Sequence, residues 1–281
     1  MDYTSTRKVS FIWLLHRNMH VQEIKKIYDI ASGCTQPILV TLDDRSDAVL
    51  KYPNNPQGMI VLFNEYFSYM LAKELSLTIP EFGIAVIDAQ TNMEKLPGNY
   101  HLSTFEGICF FTTYLPDTVP LSCRVASHIS NLHETSKMLL LDEIVRNGDR
   151  SSSNVLVGIR TNEAQMYAID YSHAFGDPEW SLDTLQIGDY DSPYVWQENC
   201  YLYDMLIKAN ADVSPARLES EASLICERIN QDFIHRIIES VPYEWIECIG
   251  KSNILHAGEY VLSRVNSIGK ICTMINRERG L

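Results

Sequence analysis

A polar loop followed by a predicted β-hairpin is the feature that most constrains how this chain can fold. Two short apolar runs, 155–157 and 166–169, follow the loop and are separated by a polar turn whose length is usual for a hairpin. Asp149 and Asn154 lie in the loop, and Asp170 comes directly after the second run. The two strands would therefore bring two carboxylates and an amide together at one end of the hairpin.

The region before this loop is predicted to be a small sheet with one helix. Apolar runs at 38–40 and 48–51 flank a polar turn, which predicts a hairpin whose second strand ends at Lys51. Apolar residues at 63, 67, 70 and 71 predict an amphipathic helix of about 15 residues that ends before Pro80 and carries Glu65 in its first turns. Two further strands are expected at 84–87 and 107–111.

The N-terminal segment is less regular. Residues 8–16 are predicted to form a strand or a short helix. Apolar residues at 21, 24, 27 and 30 have a helical spacing, and Ser32-Gly33 would end that helix.

The region after the hairpin is predicted to be mostly helical. One helix is expected at about 124–147, and another begins at Ser214-Pro215 and continues to Pro242. A final helix carries apolar residues from 261 to 275. The sequence thus predicts an α+β protein with a small β-rich N-lobe, residues 1–112, and a larger, mostly helical C-lobe, residues 113–281.

Composition excludes several classes of function. A formal net charge of −13 argues against a nucleic-acid partner, because such surfaces cluster Lys and Arg on phosphates. The apolar stretch 11–15 is too short for a membrane span or a signal core. Seven scattered cysteines without a C-x-x-C pair suit reduced thiols, so we expect a cytoplasmic protein with no membrane partner. The histidines have no zinc-ligand spacing.

The loop and hairpin carry the groups that phosphoryl transfer from ATP requires. One carboxylate orients or deprotonates the acceptor, and Asp and Asn oxygens hold Mg²⁺ across the phosphates. Lys51, at the end of a predicted strand, can place a cation on the phosphates. For Arg150 a structural role, as the partner of a carboxylate or a backbone carbonyl, is favoured over a catalytic one. For His173 a hydrogen-bonding role is favoured over that of a general base.

Several segments of the sequence, in order, resemble the HipA-like kinases, which are relatives of the protein-kinase and phosphatidylinositol 3-/4-kinase fold. The matching segments are Gly33-Cys34-Thr35-Gln36-Pro37, Val49-Leu50-Lys51, Asn64-Glu65, Leu77-Thr78-Ile79-Pro80-Glu81, Asn147-Gly148-Asp149-Arg150-Ser151-Ser152-Ser153-Asn154 and Ala168-Ile169-Asp170-Tyr171-Ser172-His173-Ala174-Phe175. The longer toxin members commonly have a His where this chain has Ser151, and often a Gly after the metal-binding Asp. They also have an extra N-terminal domain, for which there is no room ahead of Lys51.

The resemblance implies a role for each candidate residue. Lys51 would contact the ATP phosphates, Glu65 would position that lysine, Asp149 would be the catalytic carboxylate, and Asn154 with Asp170 would hold Mg²⁺. The other nucleotide contacts implied are Gly33, Thr35 and Gln36 around the phosphates, and Thr113, Tyr114 and Leu115 at the adenine.

The leading hypothesis is an ATP- and Mg²⁺-dependent kinase that transfers the γ-phosphoryl group to a Ser or Thr hydroxyl of a protein. A small-molecule or lipid kinase shares the same catalytic loop and stays open. So does a pseudokinase that senses nucleotide without transferring phosphate. A regulatory or antitoxin-like partner is a further hypothesis, and the sequence does not identify the acceptor.

Overall fold

The computed structural model describes residues 21–94, 96, 100–160, 163–188 and 193–281. Its larger sheet contains β1 (Val21–Ile30), β2 (Ile38–Leu42), β3 (Asp47–Lys51), β4 (Phe82–Ile87), β5 (Asn92–Met93) and β6 (Gly107–Thr113). The strand order is β2-β3-β6-β4-β1-β5, and β1 also pairs with β2. This extra pairing closes β1, β2, β3, β6 and β4 into a barrel, so β5 lies outside the ring as an edge strand.

The helix predicted for residues 21–30 is wrong, because this segment is the strand β1. Its pairing with β2 has register shifts between Ile24 and Lys26 and between Ile27 and Asp29. A regular strand turns every second residue to the same face, whereas a bulge inserts one extra residue. Ile24 and Ile27 therefore both face the barrel interior although they are three residues apart, and this spacing imitates a helix. The prediction for residues 8–16 falls outside the described residues.

The remaining front-lobe predictions are confirmed. The hairpin is β2–β3, with Thr41 opposite Asp47 at its turn, and Lys51 ends β3. The predicted helix is α1 (Ile60–Glu74), and the two further strands are β4 and β6.

The apolar core consists of two clusters, and α1 belongs to the larger one. The smaller cluster fills the barrel, with Ile27, Val40, Leu50 and Phe105 fully buried. The larger cluster joins α1 to the C-terminal helices. The lobe boundary between residues 112 and 113 stays a prediction.

The hairpin after the polar loop is also confirmed. Strands β8 (Val155–Arg160) and β9 (Glu163–Ala168) are antiparallel, and β7 (Thr118–Pro120), which was not predicted, lies beside β8. The Ile169 N–H donates to the Asn154 carbonyl at 3.0 Å. This bond closes the open end of the hairpin and brings the loop next to the residues that follow β9.

The C-terminal part is helical, as predicted, but its helices are more numerous and shorter. The remaining described α-helices are α2 (Cys123–Ala126), α3 (Thr135–Val145), α4 (Tyr194–Lys208), α5 (Pro215–Arg228), α6 (Gln231–Ser240), α7 (Tyr243–Ile249), α8 (Lys251–Asn266) and α9 (Ile268–Glu278). Among the described helices, none has both the length and the apolar character needed to cross a membrane.

Three helix predictions need correction. The helix expected at 124–147 is split into α2 and α3, the helix expected from 214 to 242 is split into α5 and α6, and the final one is split at Ser267. At Asn230 the backbone is extended and the side chain accepts the Phe233 N–H at 3.0 Å, which starts a new helix. The helices on both sides of each break pack on the same core, so the apolar spacing continues across it.

Candidate active site

One cleft collects nearly all of the predicted site residues. It has a volume of about 530 Å³ and lies between the loop before β2, strand β3, the end of β6, the polar loop before β8 and the segment after β9. The predicted site residues that line it are Gly33, Thr35, Lys51, Glu65, Thr113, Tyr114, Leu115, Asp149, Asn154 and Asp170. Gln36 is not among the lining residues.

Lys51 is the centre of a buried ion-pair network. Its ammonium contacts Glu65 Oε1 and lies 2.9 Å from Asp170 Oδ1. Burial would lower the pKa of Lys51, but the carboxylates of Asp170 and Glu65 outweigh this effect and raise the pKa above its usual value. Burial raises the pKa of Glu65 to about 7, even though the Lys51 charge acts in the opposite direction. The lysine therefore stays charged and points into the cleft.

Asp170 is fixed by its own neighbours in the chain. Its backbone is left-handed, with a φ of 59°, which non-glycine residues seldom adopt. Its Oδ1 accepts the Ser172 N–H at 3.1 Å and the Ser172 hydroxyl at 2.6 Å. Burial would raise the pKa of Asp170, but the Lys51 ammonium and the Ser172 hydroxyl hold it well below its usual range. Asp170 is thus a permanent anion in the cleft.

Asp149 and Asn154 form the more open side of the cleft. Asp149 is exposed, and Asn154 donates through Nδ2 to the Asp149 carbonyl at 2.6 Å and to Asp149 Oδ2 at 3.1 Å. These two bonds occupy Asn154 Nδ2, so Oδ1 is the Asn154 side-chain atom that could contact a cation.

Arg150 has the structural role that its position in the sequence indicated. It is fully buried, and its guanidinium donates to Asp142 Oδ2 at 2.8 Å and to Asp142 Oδ1 at 3.0 Å. It also donates to the carbonyls of Asn154, at 2.8 Å, and of Ile169. Arg150 therefore ties the polar loop to the strand end that precedes Asp170.

The loop before β2 is a tight turn at the mouth of the cleft. Gly33 has a φ of 146°, and its carbonyl accepts the Gln36 N–H at 3.0 Å. Thr35 is buried, whereas the Gln36 side chain lies 3.5 Å from the Tyr100 hydroxyl. Gly33 and Thr35 are thus placed to meet a ligand, and the Gln36 side chain is engaged with Tyr100.

The segment at the end of β6 has two of its three backbone donors occupied. The Thr113 N–H donates to the Glu81 carbonyl at 2.7 Å, and the Tyr114 N–H donates to the Asp47 carbonyl at 2.9 Å. Within the described part of the chain, no acceptor faces the Leu115 N–H. Leu115 is therefore the residue of this segment whose backbone N–H can bind a ligand.

Some residues that shape the site were not assigned a role from the sequence. Asn64 bonds to the segment after Asp170, and the Gln57 amide lies 3.4 Å from His173 Nε2 at the cleft wall. Glu134 accepts both the N–H and the hydroxyl of Thr78 at 2.8 Å. A sequence signal existed for Asn64, which is a polar residue in the apolar run that starts α1, and for Thr78, which lies in one of the matching segments.

The donor set suits a hard divalent cation. Asp170 offers a carboxylate and Asn154 an amide oxygen, and Mg²⁺ prefers one or two such ligands together with substrate phosphates. The two residues line the same cleft as Lys51. The residues present therefore fit a magnesium ion bound with a nucleotide.

Comparison with known proteins shows the family and the fold of the chain. The sequence model for HipA-like kinase matches residues 21–268. The chain belongs to the HipA-like kinase family. Among solved structures, the proinflammatory kinase CtkA of Helicobacter pylori has a similar fold, with a TM-score of 0.59 and 14% identity over 91% of this chain and 99% of CtkA.

A Golgi casein kinase solved with Mn and ADP bound is also similar in fold. Its TM-score is 0.50, with 14% identity over 98% of this chain and 78% of that kinase. No curated protein matches the sequence. As a HipA-like kinase, the chain has the predicted two-lobed fold, with a β-rich front and a helical back, and it is a phosphotransferase of the kinase type.

Proposed function

We propose that this HipA-like kinase transfers the γ-phosphoryl group of ATP to a Ser or Thr hydroxyl of a protein, with Mg²⁺ as the metal. The observation that carries the proposal is the convergence of Lys51, Asp149, Asn154 and Asp170 on one cleft. These residues supply the cation, carboxylates and amide that phosphoryl transfer uses.

The nucleotide would lie along the front-lobe side of the cleft. The Leu115 N–H would donate to the adenine, and the Lys51 ammonium would bind the phosphates, while the turn at Gly33 and Thr35 would cover them. Lys51 is already held by Glu65, so little side-chain freedom is lost when it binds. A similar fold in a kinase that binds Mn and ADP supports the choice of a nucleotide and a divalent metal.

Asp170 and Asn154 Oδ1 would hold the metal. When bound, Mg²⁺ would neutralise charge on the phosphate oxygens. Asp170 is ready for this role because it is already ionised, and the bonds from Ser172 fix its orientation.

Asp149 would act on the acceptor. It is exposed at the open side of the cleft, 3.1 Å from the Asn154 amide, and it can accept the proton of an incoming hydroxyl. An exposed carboxylate is accessible to a side chain on a large partner, which supports a protein acceptor. A cytoplasmic location and a regulatory or antitoxin-like partner complete the proposal.

The test is incubation of the purified protein with γ-labelled ATP and Mg²⁺, with a cell extract as the acceptor pool and Asp149→Ala in parallel. We expect labelled protein bands with the wild type and none with the variant. ATP binding without any transfer would support a nucleotide-sensing pseudokinase instead. Label that appears only on free hydroxyl compounds would support a small-molecule or lipid kinase.

A further inference from the structure

We infer that Asn64 is a positioning residue for Asp170, which it holds through the backbone of the segment after β9. The inference rests on the proposed role of Asp170 as a metal ligand. Asn64 lies on α1, is fully buried and does not line the cleft, so it acts on the site only through its hydrogen bonds.

The Asn64 amide makes three hydrogen bonds, all to the segment that follows Asp170. Nδ2 donates to the Ser172 carbonyl at 2.8 Å and to the Ala174 carbonyl at 3.3 Å. Oδ1 accepts the Trp180 indole N–H at 2.8 Å. The indole is itself buried against Phe175, with ring centroids 4.9 Å apart, so the orientation of the amide is fixed.

Ser172 transmits this constraint to the carboxylate. Asn64 binds the Ser172 carbonyl, while the Ser172 N–H and hydroxyl both donate to Asp170 Oδ1. The left-handed backbone of Asp170 is strained for a residue with a side chain, and such a conformation persists only where its surroundings impose it. The bonds of Asn64 and Ser172 are part of the surroundings that impose it.

The next residue of α1 holds the peptide bond that directly follows Asp170. Glu65 Oε2 accepts the Tyr171 N–H at 3.1 Å, while its Oε1 contacts Lys51. Two consecutive residues of one helix therefore bind the backbone on both sides of the peptide between Tyr171 and Ser172. The helix is anchored in turn by the larger apolar cluster, in which Phe63 and Phe67 are fully buried. Asn64 thus links the position of Asp170 to a fixed helix.

The experiment compares Asn64→Ala with Tyr66→Phe on the same helix, which removes the 2.8 Å hydrogen bond from the Tyr66 hydroxyl to Ser240 Oγ. Mn²⁺ binding in the presence of ADP, ADP binding without metal, thermal stability and amide exchange at Tyr171 and Ser172 are measured for both variants. Loss of a residue that orients a metal ligand typically costs about 10–100-fold in metal affinity or activity. We expect a loss of this size for Asn64→Ala, together with faster exchange at the two amides.

The control should lose stability without these changes. We expect Tyr66→Phe to keep wild-type Mn²⁺ affinity, and ADP binding without metal to be equal in both variants. In turnover, Asn64→Ala should raise the metal concentration needed for half-maximal rate and lower kcat, with little change in KM for the acceptor. If Asn64→Ala does not fold, Trp180→Phe takes its place in these measurements. This change removes the bond to Oδ1 and part of the indole that packs against Phe175, but it leaves both bonds of Nδ2, so it should cause the same changes to a smaller degree.

Failure of the positioning role and failure of the proposed function give different results. If the wild type binds Mn²⁺ with ADP and Asn64→Ala binds it equally well with unchanged exchange, the positioning role is overturned while the proposed function stands. If the wild type binds no Mn²⁺ with ADP, the proposed function itself fails, and the role of Asn64 fails with it.

Discussion

The two carboxylates at the end of the hairpin differ in almost every respect except their proximity. Asp170 is strained, accepts two hydrogen bonds from Ser172 and is paired with Lys51. Asp149 is exposed, and the Asn154 side chain is its described partner. The side of the cleft assigned to metal and nucleotide is thus built in advance, whereas the side assigned to the acceptor is open.

This difference teaches how one loop and hairpin can serve two purposes. A metal ligand gains from a fixed position and a permanent charge, because the ion tolerates little error in geometry. A carboxylate that acts on the hydroxyl of a large acceptor must be accessible, so exposure favours that role. Arg150 makes both possible, because it is buried beneath the loop and fixes the Asn154 and Ile169 carbonyls.

The largest effect should come from Asp170→Asn. The variant removes the anion that we propose holds the metal, and it leaves Lys51 with Glu65 as its remaining carboxylate partner. A bound metal contributes several kcal/mol to transition-state stabilisation, so we expect phosphoryl transfer to fall by about 10³-fold or more. Asp177→Asn, an exposed change in the same segment, is the matched control and should keep full activity. Near-normal transfer by Asp170→Asn would refute the assigned role.

Asp149→Asn should lower the rate to a similar or smaller extent, and the loss should appear in a different parameter. General-base catalysis contributes about 10²–10⁴-fold, so kcat should fall by that amount. Binding of Mn²⁺ and ADP should be unchanged, because Asp149 is exposed and lies on the side of the cleft assigned to the acceptor. Titration calorimetry next to rate measurements checks both expectations. A parallel loss of nucleotide affinity would mean that the two sides are not separate.

Arg150→Met tests the buried support beneath both carboxylates. Breaking a buried ion pair by removing one partner typically destabilises a protein by about 3–5 kcal/mol, and we expect that loss in urea unfolding because the buried Asp142 would lose its ion-pair partner. The exposed Arg124→Met is the control. The double variant Arg150→Met with Asp142→Leu should recover part of the loss, since no buried charge then lacks its partner. If the double variant were less stable than either single variant, this explanation would be wrong.

Glu143 tests the effect of burial at a carboxyl group outside the cleft. Burial raises its pKa to about 7, against the Trp196 N–H bond at 2.9 Å and the Arg264 charge. The unfolded carboxyl ionises near its usual pKa while the folded one keeps its proton, so the free energy of unfolding should fall as pH rises from about 4.5 to 7. We expect a fall of about 1–3 kcal/mol.

Glu143→Gln should weaken this pH dependence, because the neutral amide has no proton to release. Glu65 has a similarly raised pKa, so part of the slope should persist in the variant. Urea unfolding at several pH values between 5 and 8 measures both slopes. Equal slopes in the wild type and Glu143→Gln would show that burial of Glu143 does not control its ionisation.

The sequence was informative where the signal is local. The hairpin, the loop before it and Asp170 after it lie within about two dozen residues, so spacing alone brought the carboxylates together. Lys51 and Glu65 are similarly close, since a strand end and the next helix carry them. The structure brings these predicted pairs into contact or into one cleft.

Contacts between distant segments could not be predicted in this way. Asn64 is separated by 108 residues from Ser172 and by 116 from Trp180, and no periodicity links them. The bulges of β1 imitate a helical spacing, and the breaks at Asn230 and Ser267 leave the apolar pattern intact. At Asn64 and in β1 tertiary contacts decide the structure, whereas at Asn230 a local capping bond starts a new helix within a continuous apolar pattern.

Single-turnover transfer from prebound, γ-labelled ATP is the measurement that tests the central claim most directly. Wild type, Asp149→Asn and Asp170→Asn would each be loaded with ATP and Mg²⁺, separated from free nucleotide and mixed with acceptor protein. We predict rapid labelling by the wild type, retained ATP without labelling by Asp149→Asn, and little retained ATP with Asp170→Asn. Equal retention and equal labelling by all three proteins would contradict the division of the cleft into a nucleotide side and an acceptor side.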